Sequence, residues 1–109
     1  MNLENQTALI TGSSGGIGED FAVAFANRKA NLVLVARRED KLAALRTRLL
    51  EQHPGLTIDI ITADLSAPGS AAELASKVGS LGRRIDILIN NAGVGLHGDF
   101  AGPPPLPST

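Results

Sequence analysis

The segment Thr11-Gly12-Ser13-Ser14-Gly15-Gly16-Ile17-Gly18 concentrates residue types that cradle a phosphate through backbone N–H groups and hydroxyls. Between a strand and a helix, such a loop needs glycine for three reasons: a tight turn of unusual φ, close approach of backbone to a pyrophosphate, and close packing of the helix on the sheet. Gly12, Gly16 and Gly18 have the spacing to serve these in turn, and Gly15 and Ile17 belong to the same candidate loop. The helix that follows aims its free N–H groups and the positive end of its dipole at the anion. Ser13 and Ser14 add hydroxyl donors for phosphate or ribose oxygens. A flexible strand-to-helix turn is the alternative, opposed by the strand before, the helix after and the spaced glycines. No Lys-Ser or Lys-Thr closes the motif, which excludes a Walker-type loop.

A second group of candidates stands at the end of the second strand, where the chain reads Val35-Ala36-Arg37-Arg38. A carboxylate there would accept from the ribose 2′-hydroxyl of NAD and would repel a 2′-phosphate. Guanidinium groups instead pair with a 2′-phosphate in bidentate fashion, so this corner favours NADP(H), with Arg37 the better candidate and NAD(H) the second choice. The competing role for Arg37 and Arg38 is solvation of the start of the next helix. Asp64-Leu65 follows the third strand, again at the carboxyl edge where ligands of open α/β sheets gather. A carboxylate at Asp64 suits an adenine amino group; the competing role is capping of the third helix.

The elements that must position these residues follow from the hydrophobic pattern. Thr7–Ile10, Leu32–Val35, Ile58–Ile61 and Ile85–Ile89 read as strands, separated by longer amphipathic stretches. That rhythm, β-α-β-α-β-α-β, argues for a parallel sheet with flanking helices in the α/β class. The first helix is expected over Gly16–Asn27, with Ile17, Phe21 and Phe25 on one face, Glu19 and Asp20 near its start, and Arg28 and Lys29 near its end. The second runs from about Arg38 to Gln52, turns Leu42, Leu45 and Leu49 inward and stops at His53-Pro54-Gly55. The third carries Leu74, Val78 and Leu81 on one face, with Ser66 or Ser70 as its cap.

Composition narrows the function classes. The 109 residues are 43% hydrophobic, 19% charged and 3% aromatic, with a net charge of -1, as expected of one soluble domain. Basic residues fall in scattered pairs, which argues against a nucleic-acid partner. Apolar runs are far shorter than the roughly 20 residues that cross a bilayer, so no membrane partner is expected. The chain has no Cys, which excludes disulfides, thiolate metal sites and cysteine nucleophiles. The residues Met1-Asn2-Leu3-Glu4-Asn5-Gln6 carry neither a basic nor an apolar leader region, and the expected location is the cytoplasm. His53 at a helix stop and His97 in a glycine-rich loop read as surface residues, and no metal site is expected.

The glycine loop, the Ala36-Arg37-Arg38 corner, Asp64-Leu65 and Asn90-Asn91-Ala92-Gly93, in this order and spacing, resemble the short-chain dehydrogenase/reductase family. The resemblance covers about residues 5 to 100, the first half of a family member. It implies a Rossmann-type fold with partial strand order 3-2-1-4 and hydride exchange between NADP(H) and a carbonyl or alcohol. It also implies that Asn90, Ala92 and Gly93 line the ribose and nicotinamide end of the cofactor cleft, with Asn91 mainly structural. The family's acid-base chemistry uses a Ser and a Tyr-x-x-x-Lys helix, and this chain has no Tyr. No catalytic residue is therefore assigned, and the expected role is a cofactor-binding portion that is catalytically incomplete.

Residues 1–100 are expected to form the binding domain, and the proline-rich 101–109, with four prolines in the five residues from Pro103, an extended solvated tail. The fourth strand is apolar enough for burial on both faces yet is expected at a sheet edge, which favours self-association there. A non-catalytic interaction module, pairing through that edge or the proline tail, is the alternative function.

Overall fold

The structure is a computed structural model and describes residues 2–91. Seven elements alternate along it: β1 (Thr7–Thr11), α1 (Gly16–Asn27), β2 (Asn31–Ala36), α2 (Glu39–Gln52), β3 (Ile58–Thr62), α3 (Ser70–Ser80) and β4 (Ile87–Asn90). The strands form one parallel sheet in the order β3-β2-β1-β4. This is the Rossmann-type arrangement expected from the sequence. Ile10 pairs in register with Leu34 and with Ile89, which brings the carboxyl ends of the strands to one edge of the sheet.

Alternation along the strands builds two cores. Ala8 and Ile10 of β1 and Leu32 and Leu34 of β2 join Ala22 and Ala26 of α1 and Leu42, Leu45 and Leu49 of α2 on one face. Leu9, Val33 and Val35 face the other way, onto Leu74 and Val78 of α3. Both faces of β1 and β2 are thus covered, and every residue of β1 is buried. Continuous apolar strands are what a parallel sheet with helices on both sides requires.

The inward face of α1 differs from the stripe read in the sequence. Gly18, Ala22 and Ala26 are buried, whereas Ile17 is 63% exposed and Phe21 37% exposed, its ring stacked on that of Phe25. The two stripes share one period and lie a single residue apart. Small side chains fill the fully buried positions, Gly18 lying against the Gly12 backbone, while Phe25 of the expected stripe packs partly buried against the same core. α1 ends in a left-handed turn at Lys29, φ 71°, with the Ala30 N–H reaching back to the Phe25 carbonyl and the Lys29 N–H to that of Ala26.

Two further departures concern α3 and β4. The residue before α3 is Gly69, at φ 77°, and neither serine caps it: the Ser70 hydroxyl donates to the Leu65 carbonyl and the Ser66 hydroxyl to Asp64. Leu81 lies past the helix end and is exposed. β4 begins two residues later than expected; just before it Asp86 meets Thr7 twice, its N–H donating to the Thr7 carbonyl and its carboxylate accepting the Thr7 N–H. It is the edge strand among the described residues, with Ile87, Leu88 and Ile89 half-buried.

Candidate functional site

The loop after β1 crosses the carboxyl edge of the sheet in a conformation that its glycines dictate. Gly12 takes φ 67° and Gly16 φ 57°, both in the left-handed region. Gly15, extended, precedes α1 with no side chain to cover its free N–H groups. A methyl carbon on Gly16 would meet open space, whereas one on Gly18 would sit 2.1 Å from the Gly12 carbonyl oxygen and 2.9 Å from the Ser13 Cα. Gly18 is therefore the packing glycine, and Gly16 leaves the outer side of the loop bare.

Neighbouring strands hold the loop from both sides. The Ser13 N–H and the Ser13 hydroxyl both donate to the Val35 carbonyl of β2, each at 3.2 Å. Ser13 is completely buried, so its expected role as a phosphate or ribose donor is corrected: its hydroxyl fastens the loop to β2, and Ser14 alone of the pair reaches the cleft. On the other side the Thr11 hydroxyl bonds the Asn90 Oδ1 at 3.0 Å and accepts the Asn91 N–H at 3.0 Å, and the Asn91 amide approaches the Gly12 carbonyl at 3.4 Å. Thr11, fully buried, is the junction of this network and was not singled out from the sequence as a site residue. Its place at the head of the glycine motif was the available signal. Asn90 braces the loop as Asn91 does; Ala92, Gly93 and His97 lie outside the described residues.

An open cleft of about 410 Å³ runs along this edge, with Gly12, Ser14, Arg37, Arg38, Asp64 and Leu65 in its wall. Arg37, just past the end of β2, has no hydrogen bond or ion pair within the described residues. Arg38 stands at the N-cap of α2 and forms a bidentate pair with Asp40, Nε to Oδ1 at 3.2 Å and Nη2 to Oδ2 at 3.0 Å. Asp64 accepts the Ser66 hydroxyl at 2.6 Å and the Ser66 N–H at 3.0 Å. Those bonds, with the Arg37 charge nearby, hold its carboxyl below the usual carboxylate range. Asp64 thus closes a turn of its own and does not cap α3. A larger concavity of about 490 Å³ lies around Asn5, Lys29 and His53, at the amino end of the strands and away from the loop. It lacks the glycine loop and the arginines, and His53 there is bonded to Asn27. Among the described residues no cluster of His, Asp and Glu has the makings of a metal site.

The family model for short chain dehydrogenases matches residues 6–103. The chain belongs to that family. As a short chain dehydrogenase it is 38% identical over 104 residues to a "Dehydrogenase/reductase SDR family protein 7-like" of Anopheles gambiae, covering 90% of this chain and 32% of that protein. Among solved structures, L-sorbose reductase of Gluconobacter frateurii, complexed with NADPH and L-sorbose, is 38% identical with a TM-score of 0.77 over 87% of this chain and 36% of that one. A short-chain dehydrogenase of Sphingobium yanoikuyae in complex with NADPH is 43% identical, with a TM-score of 0.71 over 83% of this chain and 35% of that one. The chain spans about a third of the length of each of these relatives. Among the described residues of this short chain dehydrogenase no helix is long and apolar enough to cross a membrane.

Proposed function

We propose that this chain is the NADP(H)-binding portion of a short chain dehydrogenase, catalytically incomplete in its 109 residues. The observation that carries the reading is the loop itself. Its backbone is bare at Gly16, locked by Gly18 and flanked by Arg37, whose guanidinium has no ion-pair partner within the described residues. A nucleotide pyrophosphate fits there because free N–H groups at the start of α1 and the Ser14 hydroxyl offer donors without a competing side chain.

In this reading Gly12, Ser14, Gly15 and Gly16 hold the pyrophosphate, Arg37 meets the 2′-phosphate, and Asp64 with Leu65 bounds the adenine. Ile17 offers exposed apolar surface beside the loop, and Asn90, Ala92 and Gly93 border the ribose and nicotinamide end. When bound, the cofactor supplies a hydride-exchanging nicotinamide. The chain's own residues bind and orient it; with no tyrosine among them, they do not provide the phenol on which the family's proton transfer relies. NADPH in the solved relatives, and the absence of an acidic residue between Val35 and Arg38, both support NADP(H) over NAD(H). Calorimetric titration of the folded chain tests this. Saturable binding with NADPH tighter than NADH is expected; a folded chain that binds neither refutes it.

A second reading rests on β4, an edge strand with half-buried Ile87, Leu88 and Ile89. Two copies of the 109-residue chain pair through this edge, an arrangement that edge strands promote. A sedimentation profile with only monomer at micromolar concentration counts against it.

A further inference from the structure

Both arginines of the basic corner line the cleft, yet their surroundings differ. Arg38 is held by Asp40 through two hydrogen bonds in the planar fork geometry that guanidinium and carboxylate share. Arg37 has no such partner among the described residues. Asp40 is itself anchored, because it belongs to the first turn of α2, where the helix dipole favours a carboxylate. It is not part of the cleft wall. The Arg38–Asp40 pair is exposed, 62% and 68% by side chain, so it competes with solvent and is weak enough to be exchanged.

We propose that Asp40 is a positioning residue that sets cofactor specificity: by clamping Arg38 it leaves Arg37 as the principal partner of a 2′-phosphate, and it keeps the preference for NADP(H) over NAD(H) below what two free arginines would give. This rests on the NADP(H)-binding reading above. The corner then carries Arg37, with no hydrogen-bonded partner among the described residues though the Asp64 carboxylate lies near enough to feel its charge, and Arg38, paired with the Asp40 carboxylate. A 2′-phosphate must compete with Asp40 for Arg38, whereas a 2′-hydroxyl gains nothing from that competition. The effect therefore falls on one cofactor only. A purely structural role of Asp40 at the start of α2 would instead weaken both cofactors together.

The test is a double-mutant cycle on the full chain, with NADPH and NADH titrated separately and the fold checked by circular dichroism. Asp40→Asn keeps a residue compatible with the first helical turn and releases Arg38. It is expected to tighten NADPH about three- to five-fold, the range that one exposed charge pair supplies, and to leave NADH within about two-fold. The gain should shrink as salt is raised. Adding Arg38→Gln should remove it, so Arg38→Gln costs more NADPH affinity in the D40N background than in the unaltered chain. An unchanged NADPH-to-NADH ratio in Asp40→Asn overturns the proposal. So does a gain that survives Arg38→Gln, because Asp40 would then act through its own charge alone. An unaltered chain that binds neither cofactor overturns the underlying reading as well, and is thereby told apart from failure of the clamp alone.

Discussion

Alanine at Gly18 puts a methyl carbon 2.1 Å from the Gly12 carbonyl oxygen, 2.7 Å from the Gly12 carbonyl carbon and 2.9 Å from the Ser13 Cα. A carbon and a carbonyl oxygen come no closer than about 3.3 Å without strain, so the loop and α1 must part by about 1.2 Å. All three atoms are backbone, and none can swing aside as a flexible side chain would. The loop is also tied down by the Ser13 bonds to Val35 and the Asn91 bond to Gly12, so relief strains those contacts. Overpacking of this kind costs about 1–3 kcal/mol, and each weakened bond about 1 kcal/mol more. We expect Gly18→Ala to lose about 3 kcal/mol, a fall in Tm of about 12–20 °C for a domain of this size. Gly16→Ala meets no atom and suffers only its left-handed φ, about 1–2 kcal/mol. Gly15→Ala is extended and unobstructed, and loses about 0.5 kcal/mol as a poorer N-cap. Urea and thermal unfolding followed by far-ultraviolet circular dichroism rank the three. A Gly18→Ala chain within 1 kcal/mol of the unaltered one, or less affected than Gly16→Ala, refutes the packing argument.

Arg37→Asp should weaken NADPH relative to NADH by about ten-fold or more, because it removes a charge-assisted pair and adds a repelling carboxylate; competitive titration of the two cofactors measures the ratio. Lys29 occupies a left-handed position at the end of α1, so Lys29→Gly should stabilise the fold by about 0.5–1 kcal/mol, read from the urea midpoint. Ser66→Ala should raise the Asp64 pKa toward the ordinary carboxylate range, as followed by NMR titration, since the Ser66 hydroxyl is the largest influence holding it down. The sign follows from that depression: ionised Asp64 favours the native turn above the unfolded pKa, and the contribution fades as pH falls through the folded value, over a narrower acid range in Ser66→Ala.

The alternation of strands and helices was legible because each element repeats its own period, and the bounds of α1 and the inner leucines of α2 follow from local pattern alone. The face of α1 was not. Ile17-Phe21-Phe25 and Gly18-Ala22-Ala26 are equally periodic, and only the assembled fold, in which Gly18 abuts the Gly12 backbone, buries the smaller set fully and leaves Phe25 partly buried beside it. Ser13 was misjudged for a related reason, since its direction is fixed by the turn at Gly12 and by register with Val35 on another strand. The bond from Thr11 to Asn90 spans 79 positions, and no local signal announces it. Arg37 already reads as the better candidate in the sequence; the structure adds the reason, because Asp40, two residues past Arg38, pairs with Arg38 and not with Arg37.

The double anchorage of the glycine loop bears on how fast and how cheaply a ligand docks. With Ser13 fixed to β2 and Thr11, Asn90 and Asn91 tying the same few residues to β4, the loop has little freedom left to lose. Docking there is close to rigid-body: the ordering entropy has been absorbed by folding, and the amide hydrogen of Ser13, bonded to the Val35 carbonyl, exchanges slowly before any ligand arrives.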